Sequence, residues 1–95
     1  MNRLGPGQFE RIAKALADPR RFEMLSAIAG KDEVACRHLV ERFPVAQATV
    51  SHHLKELLVA GLVDERQEAQ AKFYRLRRDV LDAYQNELRR RLSMV

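Results

Sequence analysis

Residues 47 to 63 read Gln47-Ala48-Thr49-Val50-Ser51-His52-His53-Leu54-Lys55-Glu56-Leu57-Leu58-Val59-Ala60-Gly61-Leu62-Val63. Val50, Leu54, Leu57 and Leu58 recur at the period of one helix face, so a helix is expected from Gln47 to Ala60, ended by Gly61. The other side carries Ala48, Thr49, His52, Lys55 and Glu56, with Gln47 and Ser51 on the flank or first turn. Such side chains donate and accept hydrogen bonds, and Ala48 permits close approach to a surface or to a methyl group. Taken alone, this face suits either a solvated helix or a helix seated in a DNA groove. Its neighbours decide.

Immediately upstream, Cys36 to Arg42 reads as a short helix burying Leu39 and Val40, broken by Phe43-Pro44. Two short helices joined by a tight turn form a helix-turn-helix. Further upstream, Phe9, Ile12, Ala13 and Leu16 mark a helix over residues 8–17. Asp18-Pro19 opens the next one, since Asp caps free N–H groups and Pro is tolerated at the first helical position. Phe22, Leu25, Ile28 and Ala29 are its expected apolar stripe, and Gly30 ends it. Downstream of Gly61 the period changes. Leu62 to Arg66 and Lys72 to Leu76 read as two strands around a polar tip, Gln67 to Ala71, that contains no glycine. Asp79 to Ser93 returns to helix, with Val80, Leu81, Tyr84, Leu88 and Leu92 as its stripe and Arg89, Arg90 and Arg91 near its end, where cations suit the helix dipole. The expected order is α-α-α-α-β-β-α. The expected fold is mainly α with a small β-hairpin after a helix-turn-helix, forming a single domain over residues 1–95.

Composition agrees. Hydrophobic residues make up 46% and charged residues 32% of 95, a globular balance. No stretch approaches the roughly 20 apolar residues of a membrane span, and Met1 to Gly7 lacks the apolar core of a signal peptide. The only cysteine is Cys36, which precludes an intrachain disulfide. These features lead to an expected cytoplasmic location. Lys and Arg outnumber acidic residues 17 to 13, for a net charge of +4. Arg66, Lys72, Arg75, Arg77 and Arg78 face only Glu68 before Asp79, which points to a polyanion partner.

Three stretches resemble the ArsR/SmtB family of bacterial repressors. Leu16-Ala17-Asp18-Pro19-Arg20-Arg21-Phe22 resembles its Leu-x-Asp-Pro-x-Arg opening. Gln47 to Leu57 with Ala60-Gly61-Leu62-Val63 is similar to its recognition helix and exit, and is the most specific match. Phe73-Tyr74-Arg75-Leu76 resembles its second wing strand. The resemblance implies a winged helix, a dimer built from the first and last helices, and repression by operator binding.

Within that frame the expected DNA contacts are Gln47, Ala48, Thr49, Ser51, His52 and Lys55 on the helix, with Arg66 and Lys72 reaching phosphates from the wing. A solvated hairpin is the plainer reading of the wing, and Glu68 dilutes its charge. The partner is double-stranded DNA carrying an inverted repeat. The homodimer interface is expected from Phe9, Ile12, Leu81, Tyr84, Leu88 and Leu92, because a short chain has limited means to cover that stripe alone. His52 and His53 point about 100° apart on a helix, which disfavours a shared metal; His53 reads as structural. Arg20 and Arg21 stay open between structural and phosphate-facing roles.

Many relatives sense metal through a Cys-x-Cys pair. Here Ala35 and Arg37 stand at those positions and Cys36 falls between them, so no thiolate site and no cofactor are expected. The final helix offers Asp79, Asp82 and Glu87 but no histidine. Cys36 is read as an inert thiol, with oxidation or an intersubunit bridge left open. No nucleophile with a base, no phosphate loop and no His-Glu metal motif argue for an enzyme. A winged helix used for protein contacts, non-specific nucleic-acid binding, and a repressor sensing a signal through an unrecognised site remain as alternatives.

Overall fold

The computed structural model describes residues 3–93; Met1 and Asn2, part of the leading segment read above, lie outside the described residues. Eight elements follow in order: α1 (Gln8–Ala17), α2 (Pro19–Ala29), β1 (Val34–Ala35), α3 (Cys36–Arg42), α4 (Gln47–Val59), β2 (Val63–Glu68), β3 (Ala71–Leu76) and α5 (Arg78–Leu92).

The local signals explain the joints. Asp18 Oδ1 accepts from the Arg21 N–H at 2.9 Å, and Pro19 opens α2, so α1 and α2 turn on a single residue. At the end of α4, Gly61 sits at φ +80°. The Gly61 N–H reaches the Leu58 carbonyl and the Leu62 N–H the Leu57 carbonyl, each at 3.0 Å, closing a Schellman turn into β2.

The hairpin is part of a larger sheet. β1 pairs antiparallel with β3, Val34 opposite Tyr74 and Ala35 opposite Phe73, giving strand order β1-β3-β2. The two-strand expectation is therefore corrected to three strands. The wing strands are also longer than expected, running to Glu68 and starting again at Ala71. Glu68 pairs with Ala71, so only Ala69 and Gln70 form the tip, and Ala69 adopts φ +55° where glycine would be at ease.

The core is one cluster. Ile12, Met24, Ile28, Leu39, Val50, Leu54, Leu57 and Leu62 are almost completely enclosed, joining α1, α2, α3, α4 and the start of the hairpin. Two sequence expectations change here. Phe22, placed on the inner stripe of α2, is 52% exposed, and Met24 fills the core in its stead. Ile12, expected at a subunit interface, has no exposed surface in the protomer and belongs to the core. No helix among the described residues is long and apolar enough to cross a membrane.

Candidate nucleic-acid interface

α4 is pinned to the core by Val50, His53, Leu54 and Leu57. That anchoring turns Gln47, Ala48, Thr49, Ser51, His52 and Lys55 to the outside, where all six are exposed. For these six residues exposure follows the period, while Glu56, read on the outer side, and Leu58, read on the inner one, are both half-buried. Gln47, Ser51 and Lys55, one turn apart, face a groove of about 970 Å³ between α3, α4 and the hairpin. Lys72 and Phe73 of β3 and Arg37 of α3 line the same groove. Ala48, Thr49 and His52 are exposed outside that groove.

The two histidines behave differently. His52 is exposed, whereas His53 is only 7% exposed and its Nδ1 has no hydrogen-bond partner among the described residues. Burial pushes the His53 imidazole below its ordinary pKa, favouring the neutral form, partly opposed by the Asp18 carboxylate. Arg21 is structural: its Nη1 lies 3.5 Å from the Lys14 carbonyl and 3.4 Å from the Ala15 carbonyl, tying α2 to the end of α1. Arg20 pairs with Glu23 at 3.8 Å and lies over the Phe43 ring.

The basic run of the wing is largely neutralised within the protein. The Arg66 guanidinium donates to both oxygens of Glu33, at 2.9 and 2.7 Å, and to Glu68 at 2.7 Å, while stacking 4.5 Å from the Phe73 ring centroid. Arg66 thus staples the sheet, with its side chain still 48% exposed. Arg75 pairs with Asp64, Arg77 with Asp64 and Asp79, and Arg78 donates to the Ala29 carbonyl. Lys72 is looser, with Nζ 4.0 Å from Glu65. Lys55 and Arg37 are exposed and make no salt bridge among the described residues, so they carry open positive charge into the groove. Arg37 was not among the sequence candidates for contact. Its signal was its position at the start of α3, the first helix of the motif, which crosses the DNA backbone in such folds.

A second surface forms where α5 meets α1. The Phe9 and Tyr84 rings stand 5.1 Å apart, and the Arg91 guanidinium covers Phe9 at 3.9 Å. Leu81 and Tyr84 are partly buried against the core, while Leu88 is 37% and Leu92 73% exposed. Glu87 accepts from Arg90 and Arg91, and Arg91 also reaches Glu10.

Comparison with known proteins closes on the same picture. The family described as "Helix-turn-helix domain" matches residues 16–66. The arsenical resistance operon repressor of Staphylococcus xylosus is 36% identical over 75 residues, covering 79% of this chain and 71% of that protein. The chain belongs to the ArsR/SmtB family. Among solved structures, an ArsR-like transcriptional regulator from Rhodococcus sp. RHA1 superposes with TM-score 0.80 at 25% identity, covering 88% of this chain and 78% of that one. A homodimeric winged helix-turn-helix DNA-binding domain from Mycobacterium bovis does so at 0.72 and 30% identity, covering 85% and 75%.

As an ArsR/SmtB member the chain departs from the cysteine metal box. Cys36 is half-buried, and burial raises its thiol pKa, with Lys72 a weaker opposing influence. Among the described residues no group of three or more His, Cys, Asp and Glu is placed to hold a metal. On α5, Asp79 is engaged by Arg77 and Glu87 by Arg90 and Arg91.

Proposed function

We propose that this ArsR/SmtB protein is a homodimeric transcriptional repressor that reads an inverted-repeat operator with α4. One observation carries the reading: the N-terminal half of α4 holds Gln47, Ala48, Thr49, Ser51 and His52 uncovered, while its opposite face is locked into the core. A major groove about 12 Å wide accepts such a helix, and these side chains match base-edge donors and acceptors. Lys55, Arg37 and Lys72 supply phosphate attraction from three elements around one groove. The subunits join through α1 and α5, using Phe9, Leu81, Tyr84, Leu88 and Leu92. The repressors among the relatives support the sign of regulation, and the homodimeric M. bovis domain supports the assembly. The protein acts by occluding promoter DNA in the cytoplasm, by binding and not by catalysis.

The test is selection of bound sites from random DNA, followed by footprinting of the recovered motif. The expected result is an inverted repeat whose half-sites lie roughly 34 Å apart, one helical turn. Equal affinity for all sequences at moderate salt would overturn the reading.

A further inference from the structure

One side chain joins the start of α1 to the end of α4. Gln8 is the first residue of α1. Its Nε2 donates to the Ala60 carbonyl at 3.1 Å, and its Oε1 accepts from the Gly5 N–H at 2.7 Å. Ala60 caps the C-terminus of α4, where carbonyls lack partners within the helix. The planar amide thus ties together the lead-in turn, α1 and α4, using its donor on one side and its acceptor on the other. The backbone leaves room for it: a Cβ on Gly61 would stand 2.6 Å from Gln8 Nε2. The opposite end of α1 is held separately by Arg21, through the Lys14 and Ala15 carbonyls. α1 is therefore fixed at both ends, and its next residue, Phe9, stands against Tyr84 on the proposed subunit face.

We infer that Gln8 is a positioning residue for DNA reading, latching the subunit helix α1 to the C-terminal end of the reading helix α4. The inference rests on the assignment of α4 as reader and α1 with α5 as interface. Base contacts tolerate misplacement of only about 0.5 Å. Two α4 helices must also meet two half-sites at once, so their tilt relative to the dimer axis has to be fixed. A latch at the far end of α4 fixes it without touching DNA.

The experiment compares wild type, Gln8→Ala and Gln8→Glu as full chains. Its readouts are sedimentation, thermal unfolding, and affinity for the selected site against scrambled duplex. Gln8→Ala is expected to stay dimeric and folded. Its specific affinity should fall about tenfold, because reading helices no longer held at one tilt must be ordered on binding, with scrambled-DNA affinity unchanged. Gln8→Glu cannot donate to the Ala60 carbonyl while ionised. Its specific-to-scrambled ratio should fall at pH 7.5 and return toward wild type near about pH 4.5, where a carboxyl begins to carry its proton. Gln8→Ala shows no such return.

An unchanged ratio in Gln8→Ala, or no pH-dependent return in Gln8→Glu, overturns the inference. So does a Gln8→Ala chain that unfolds or dissociates, which would make Gln8 a residue of fold or assembly. If the wild type itself shows no preference between the two duplexes, it is the proposed function that fails.

Discussion

Glu33 and Arg66 clasp each other across the whole width of the sheet. Glu33 lies just before β1, Arg66 lies in β2, and β3 runs between them with Phe73 beneath the guanidinium. The two-point geometry is the strong form of the carboxylate–guanidinium pair. Hydrogen bonds from Arg66 hold the Glu33 carboxyl below its usual range. Arg66→Ala and Glu33→Ala should each lower the melting temperature, and the double variant should lose little more than either single one, as a double-mutant cycle will read. The salt slope of DNA binding should be the same in Arg66→Ala as in wild type. A slope reduced as much as in a Lys55 variant would restore Arg66 as a phosphate contact.

Open charge in the groove should behave otherwise. Lys55→Ala and Arg37→Ala should weaken binding to all sequences alike, with the salt slope falling by about one unit per lost phosphate contact, hence about two per dimer. Gln47→Ala and His52→Ala should cost on the order of 1–3 kcal/mol on the selected site and relax the preference at particular bases. Titrations at several salt concentrations on matched and mismatched duplexes separate the two classes.

The α5 face is the proposed subunit interface. Leu88→Glu with Leu92→Glu places carboxylates where the proposed interface buries apolar surface. The dimer dissociation constant should rise about 10,000-fold, from loss of two leucine contacts per subunit, each roughly 1.5 kcal/mol. Sedimentation at micromolar concentration should move from twice 11.0 kDa toward 11.0 kDa. A wild type that is already monomeric refutes the interface.

Acid should act through Glu87. Hydrogen bonds from Arg90, then Arg91, lower its pKa from 4.5 to about 2. A carboxyl lowered in the folded state stabilises it above the unfolded value and loses that contribution as pH falls through the folded one. Wild type should therefore outlast Glu87→Gln on heating at pH 5, and the gap should close between pH 4.5 and about 2. The gap should also shrink at high salt, since Glu87 is only half-buried and both arginines are exposed. A gap independent of pH over that window contradicts the pairing.

The wing tip carries correctable strain. Ala69 stands at φ +55°, a region that costs an ordinary residue roughly 1–2 kcal/mol. Ala69→Gly should stabilise the fold by about 0.5–1 kcal/mol after the added freedom of the unfolded chain is counted, measured by denaturant unfolding. A loss of stability would show that the tip relaxes in solution.

The elements were legible where local chemistry is decisive. The Asp18-Pro19 joint, the Phe43-Pro44 break and the Gly61 stop bound their helices because each acts within a few residues. The outward face of α4 followed from its period. What escaped was set by distant partners. β1 is too short to show any alternation, and only β3 makes it a strand. The arginines of residues 66–78 looked free because sequence shows neither Glu33 reaching Arg66 nor Asp64 serving both Arg75 and Arg77. Phe22 and Ile12 traded places with expectation for a related reason: a helical stripe has width, and its period does not say which edge the neighbouring elements cover. Gln8 carried no signal at all, since its partner Ala60 is a backbone carbonyl.

The sheet order also decides how the protein behaves in company. With β3 covered on both sides, the hairpin keeps β2 as an outer strand, bearing Asp64, Glu65, Arg66, Gln67 and Glu68. Exposed strand margins invite neighbouring chains to add on, and dense charge along them discourages it. The projecting hairpin can thus lie beside copies of itself without polymerising into shared sheets.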